Sequence, residues 1–242
     1  SARTIGANAF NNTKLTSITI PNSVNSIGVN AFVNCDDLKE LIIADGTGTL
    51  TVGYQDNGGA DWGPFYDSPL TYIKLGREIR YVDGNGNTFT PAEESDGFFA
   101  NEDGGSVSAV LVDITDNVKA IQKYMFAGLK MTEITIPSSV TEIKDYAFYN
   151  CSTLASISIP NSVTKIGVGA FWGCSALADF TFPASVNSVG DNAFYNCTSL
   201  SNLTFASGAN PLTIGYQPSS SDEHGPFYQS PLTTIAVNRS LV

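Results

Sequence analysis

Four cysteines, Cys35, Cys151, Cys174 and Cys197, are the residues of this chain best suited to covalent or metal chemistry. Each lies three residues after a phenylalanine: Phe32, Phe148, Phe171 and Phe194. No two of them have the close pairing that a zinc site uses. Their even spacing fits a column of small buried thiols, with disulfides between neighbouring turns as the other option. The single histidine, His224, sits in Ser221-Asp222-Glu223-His224-Gly225. A related stretch, Asp61-Trp62-Gly63, has Trp in the matching place, so His224 reads as a loop residue. With no second histidine and no nucleophile elbow, the usual hydrolase constellations are missing. The expectation is a protein that is not an enzyme and carries no cofactor.

Asp83, Asn85 and Asn87 open like a calcium loop, with Glu94 at the twelfth position. Thr88 stands at the sixth position, where such a loop needs glycine. Asp83-Gly84 and Asn85-Gly86 are also hairpin signals. The hairpin is the favoured reading, and calcium the weaker one.

The elements that would position these residues come from internal repetition. Ile143 leads to Ala147-Phe148, Asn150-Cys151, Leu154, Ile157, Ile159 and Pro160. The same series opens at Ile5, Ile27, Ile121, Ile166 and Val189, with a period of 22–23 residues. Divergent turns surround Phe65, Phe98-Phe99 and Phe227, giving about nine in all. For the turn at Phe99 the expected interior residues are Val107, Val110 and Val112. A longer period is superimposed: Leu50-Thr51-Val52-Gly53-Tyr54 recurs as Leu212-Thr213-Ile214-Gly215-Tyr216, 162 residues on.

Within one turn, Ile157 and Ile159 share one face of a strand, while Ser156 and Ser158 point away. Pro160 ends the strand because it has no N–H to donate. Strands of successive turns must lie parallel at about 4.8 Å. Phe148 and its equivalents should stack opposite them. The glycine after the first Ile of the turn is Gln122 and Lys144 in two turns, so that position does not demand positive φ.

The pattern Leu-x-x-Ile-x-Ile-Pro-x-Ser-Val-x-x-Ile-Gly-x-x-Ala-Phe-x-x-Cys resembles the BspA-like leucine-rich repeat. The resemblance implies a right-handed solenoid with a parallel sheet on its concave face and short irregular or 3-10 segments on the convex one. It also implies a bacterial cell-surface or secreted protein, adhesin-like in its binding of host or matrix proteins. The chain then reads as one solenoid over residues 1–242, with inserts at about 45–62, 78–96 and 206–224. Its ends look uncapped, so it is expected to be a fragment of a longer chain and to self-associate through those ends.

Outward strand positions are the candidate binding surface. They run through Ser17 and Thr19, Glu40 and Ile42, Tyr72 and Lys74, Ala109 and Leu111, then Glu133, Ser156, Asp179, Asn202 and Thr234. Thr suits any exposed strand, so the sharper candidates are Ile42, Tyr72, Lys74, Leu111, Glu133 and Asp179. In the inserts, Tyr54, Trp62 and Tyr216 could form an aromatic patch for a glycan, whereas Phe65 and Phe227 should be core. A net charge of −11 argues against nucleic acid or anionic membrane as partners. No apolar stretch is long enough to cross a membrane. A protein ligand is the leading expectation and a carbohydrate the alternative.

Overall fold

The computed structural model describes residues 2–54, 63–83, 85–91, 97–99, 110–208, 211–215 and 225–241. Among the described residues, nine turns contribute two strands each. Side strands are β1 (Thr4–Ile5), β3 (Ser26–Ile27), β5 (Leu50–Gly53), β7 (Ile79–Val82), β9 (Ala120–Ile121), β11 (Glu142–Ile143), β13 (Lys165–Ile166), β15 (Ser188–Val189) and β17 (Thr213–Ile214). Front strands are β2 (Ser17–Ile20), β4 (Glu40–Ile43), β6 (Tyr72–Leu75), β8 (Leu111–Ile114), β10 (Glu133–Thr135), β12 (Ser156–Ser158), β14 (Asp179–Phe182), β16 (Asn202–Phe205) and β18 (Thr234–Val237). All the pairings between these strands are parallel, and each joins equivalent strands of adjacent turns. The chain is a repeat solenoid, as its periodicity requires.

Alternation sets which residues face inward. Along β4, Leu41 and Ile43 are buried while Glu40 and Ile42 are only half-buried. The turn containing β8 departs from expectation. Its strand begins two residues later, so Val112 and Ile114 pair with Ile73 and Leu75, and the outward pair is Leu111 and Asp113. Val107 and Ala109 lie outside the described residues. The run Val110-Leu111-Val112-Asp113-Ile114 alternates over more than one strand length. Parity was therefore readable from it, but the start was not.

The back of each turn is built on a ring column. Phe10, Phe32 and Phe65 stack at centroid distances of 5.2 and 5.0 Å. Phe99 and Phe126 carry the column on at 6.3 Å. Phe126, Phe148, Phe171 and Phe194 continue it at 5.4, 5.2 and 5.1 Å, and Phe227 follows at 5.5 Å. Phe65 is fully buried and Phe227 half-buried, in keeping with core roles.

The backbone beneath this column visits the left-handed region twice in each of six turns, and once, at Asp67 and Gln229, in the turns of Phe65 and Phe227. Asn8 and Asn12, Asn30 and Asn34, and Asn192 and Asn196 all have φ between 53° and 57°. Asn tolerates this conformation better than most side chains, which explains the Asn before each of Cys35, Cys151 and Cys197. Alternate amides along this segment donate forward to the next turn, as Asn8 N to Val29 O, Phe10 N to Ala31 O and Asn12 N to Val33 O.

Gly28 and Gly190 have a different reason. A Cβ on either would lie 2.4 Å from a backbone nitrogen of the preceding turn. Close approach, and no positive φ, accounts for glycine there, in line with Gln122 and Lys144 replacing it.

The cysteines are free and buried. Their thiols donate to the carbonyl of the preceding turn's phenylalanine: Cys35 to Phe10 at 3.1 Å, Cys151 to Phe126 at 3.0 Å, Cys174 to Phe148 at 3.3 Å and Cys197 to Phe171 at 3.1 Å.

Two arginines span more than one turn. Arg77, 2% exposed, sends its guanidinium back to Pro21 O at 3.1 Å and Asn22 O at 3.3 Å. Arg239 does the same to Ala184 O at 3.1 Å. Gly46 and Gly208 lie under these side chains, where an added Cβ would stand 3.5 Å from the arginine Cδ in each case. All four residues obey the 162-residue offset.

Candidate functional site

The ladder is interrupted between the fourth and fifth turns. Side strands pair in the order β1-β3-β5-β7 and, separately, from β9 to β17. Front strands pair as β2-β4-β6-β8, β10-β12 and β14-β16-β18. At the first seam the carboxylate of Glu78 replaces the missing strand bonds. It accepts from Lys119 N at 2.6 Å, Ala120 N at 3.3 Å and Gln122 Nε2 at 2.7 Å. Lys144 Nζ donates in turn to Gln122 Oε1 at 2.6 Å.

On the front face beside that seam, four of the sequence candidates converge. Register places Tyr72 between Glu40 and Leu111, and Lys74 between Ile42 and Asp113. Leu111 is 67% exposed, the most exposed of the large apolar side chains described. Lys74 Nζ lies 3.0 Å from Asp45 Oδ2. That hydrogen bond raises the lysine's pKa and lowers the carboxylate's, so both stay charged through neutral pH. With Asp45 and Asp113 beside Lys74 and Glu40 beside Tyr72, the patch is apolar at its centre and acidic at its edge.

Glu133 and Asp179 are exposed but belong to the next two front sheets, on β10 and β14. They do not join the Tyr72–Leu111 cluster within one sheet. Asp179 instead pairs across its own sheet with the amide of Asn202 at 2.5 Å.

The insert aromatics fare differently. Tyr54 is fully buried, stacked on Phe89 at 4.8 Å and tilted against Tyr81 at 4.9 Å. It is an interior ring, not a surface one. Trp62 and Tyr216 lie outside the described residues, as do His224 and Glu94. Asp83 caps a hairpin: its Oδ1 accepts from the amides of Asn85 and Asn87 at 2.9 and 2.8 Å, and its Oδ2 from Asn87 Nδ2 at 2.9 Å. These bonds lower its pKa, the Asn87 side chain contributing most. Among the described residues, no group of three acidic, histidine or cysteine side chains could hold a metal ion. No helix among them is long and apolar enough to cross a membrane.

Sequence reasoning missed Asp113, Asp45, Glu78 and the arginine pair. The arginines were signalled by the 162-residue offset, whereas Glu78 occurs once and carries no such signal.

Comparison with known proteins agrees with this architecture. The sequence matches the family described as BspA type leucine rich repeat region, in six copies over residues 2–56 and 105–217. No curated protein matches it. Among solved structures it is similar to a leucine-rich repeat protein from Bacteroides ovatus, at 19% identity and a TM-score of 0.52. That match covers 99% of this chain and 64% of the other, so the chain spans less than two thirds of that relative. It is also similar to the pneumococcal vaccine antigen PcpA, at 20% identity and a TM-score of 0.46, covering 97% of this chain and 57% of that one. A leucine rich cell surface protein from Faecalibacterium prausnitzii is 19% identical with a TM-score of 0.42, over 92% of this chain and 59% of its own.

Proposed function

The chain belongs to the BspA-type leucine-rich-repeat family, and on that premise we propose that it is a non-catalytic interaction protein of a bacterial surface or secreted protein, adhesin-like in binding a host or matrix protein. The observation that carries this reading is the exposure of Leu111 beside Tyr72 on the front sheet. Equivalent outward positions elsewhere hold Ser17, Ser156 or Thr234, which water satisfies. A large apolar side chain left in water at a regular strand position costs solvation and serves well as an anchor for a partner. The acidic rim then selects a partner segment that presents an apolar side chain flanked by basic ones.

The test is binding of a panel of purified matrix and plasma proteins to the chain and to a Tyr72→Ser/Lys74→Ser/Leu111→Ser variant. None of the three side chains is fully buried, so the variant should keep the wild-type circular dichroism and melting temperature. Capture lost in the variant, and weakened by salt in the wild type, is the expected result. Equal capture by both proteins would sink the reading.

A further inference from the structure

The side face of the same seam holds a second feature. A cleft of about 420 Å³ opens between β7 and the strands β11 and β13. Arg80, Lys123, Lys144 and Lys165 line it, a third of the chain's twelve cations, against the carboxylates of Glu142 and Asp145. In a chain of net charge −11 this local excess of positive charge is an exception.

The cleft arises where the repeat breaks its own rule. Five turns place a glycine directly after the interior isoleucine or valine of the side strand, packed against the preceding turn: Gly28, Gly53, Gly167, Gly190 and Gly215. Here Gln122 and Lys144 stand instead, and Gln122 fixes the ammonium of Lys144 by the 2.6 Å bond described above. Lys165 is held by Glu142 at 3.0 Å, and Lys123 lies 5.4 Å over the ring of Tyr124. Three of the four cations are therefore positioned by neighbours before any ligand arrives, which lowers the ordering cost of binding. Half-buried Phe89 and buried Pro91 form an apolar wall, and the hydroxyl-bearing Thr88 and Thr90 lie at its rim.

We propose that this cleft binds an acidic saccharide, one bearing carboxylate or sulfate groups on its rings. The volume falls in the range of small-ligand sites, about 300–1,000 Å³, and exceeds what a lone inorganic anion fills. Cations drawn from four successive turns, Arg80, Lys123, Lys144 and Lys165, suit several anionic groups on one ligand. An apolar wall beside hydroxyls suits a sugar ring, which has an apolar face and a polar edge.

The site lies on the side sheet, away from Tyr72 and Leu111, so its test is independent of the protein-binding reading. Calorimetric titration with a heparin tetrasaccharide, maltotetraose and inorganic sulfate separates the options. Binding of the heparin fragment alone, weakened at least about tenfold in Arg80→Ser/Lys123→Ser, is the expected result. A control, Lys39→Ser/Lys130→Ser, removes the same charge from exposed positions outside the cleft and should bind like wild type. Equal weakening by the control would overturn the site, reducing it to long-range charge. So would sulfate binding as tightly as the tetrasaccharide. Neutralising Glu93, Glu94 and Asp96, which follow Pro91 in the sequence, provides the last arm. Binding that appears only in that variant would overturn the proposal by showing that the chain's own carboxylates fill the cleft.

Discussion

The Ser68 hydroxyl donates to the Phe32 carbonyl at 2.9 Å, the bond that the Cys35 thiol makes to Phe10 one turn earlier. Ser230 does the same for Phe194. Serine and cysteine are interchangeable here because the position needs a small donor, not sulfur chemistry. Cys197→Ser should therefore change stability by less than about 0.5 kcal/mol, while Cys197→Ala should cost about 0.5–1.5 kcal/mol, the net value of one hydrogen bond, since the Phe171 carbonyl loses the thiol but keeps the Cys174 amide at 3.1 Å. Urea unfolding midpoints of the two variants check this, and equal loss in both would refute it.

Alkaline pH should expose the same thiols. Burial pushes the Cys197 thiol up to about 12 and raises Cys174 well above its usual value. Between the unfolded value near 9 and the folded one, the native state keeps a proton that the unfolded state has lost. Stability therefore falls as pH rises through this window, by about 1.4 kcal/mol per pH unit for each such thiol. A Cys174→Ser/Cys197→Ser protein should show a flatter decline in melting temperature from about pH 9 to 11. Parallel declines would count against the assignment.

Phe148 is fully buried between Phe126 and Phe171, whereas Phe10 is half-buried. Phe148→Ala should cost roughly 3–5 kcal/mol, and Phe10→Ala clearly less. The comparison of denaturation midpoints tests the column as a packed core and not merely a row of similar residues.

Glu78→Ala should open the seam without unfolding the chain. The amides of Lys119 and Ala120 lose their acceptor, so their hydrogen exchange should quicken by about tenfold or more, equivalent to ~1.4 kcal/mol of local opening. Amides in β13 and β15 should exchange as before. Uniform acceleration would mean that Glu78 holds no local joint.

Most of the architecture was legible because each turn repeats the same solution. The interior pair Ile157 and Ile159, the Phe148 column and the 22–23-residue period all recur, so one turn read correctly gives the others. The front patch was half legible. Ile42, Tyr72, Lys74 and Leu111 stood out by being unlike Ser and Thr, but Asp113 was hidden by the sliding start of β8. Glu133 and Asp179 looked equivalent only because a one-dimensional repeat does not reveal where its sheet breaks. Tyr54 was misplaced for a related reason: it follows a strand at the edge of an insert, and only the packing of Phe89 and Tyr81 draws it inside.

Arg77→Met should keep most of the buried stem and lose both carbonyl bonds to Pro21 and Asn22. The expected cost is about 1.5–3 kcal/mol, since these are bonds from a charged donor. Arg239→Met, with one bond in place of two, should cost less by thermal melting.

Arginines that reach across two turns change how the stack comes apart. A solenoid ordinarily unfolds as a nearest-neighbour chain, each repeat coupled only to the ones beside it. Arg77 and Arg239 each add a second-neighbour coupling, tying the first turn to the third and the seventh to the ninth. Each triplet should melt as one block. The seam at Glu78 is crossed by neither clasp, so the array divides there into two cooperative halves.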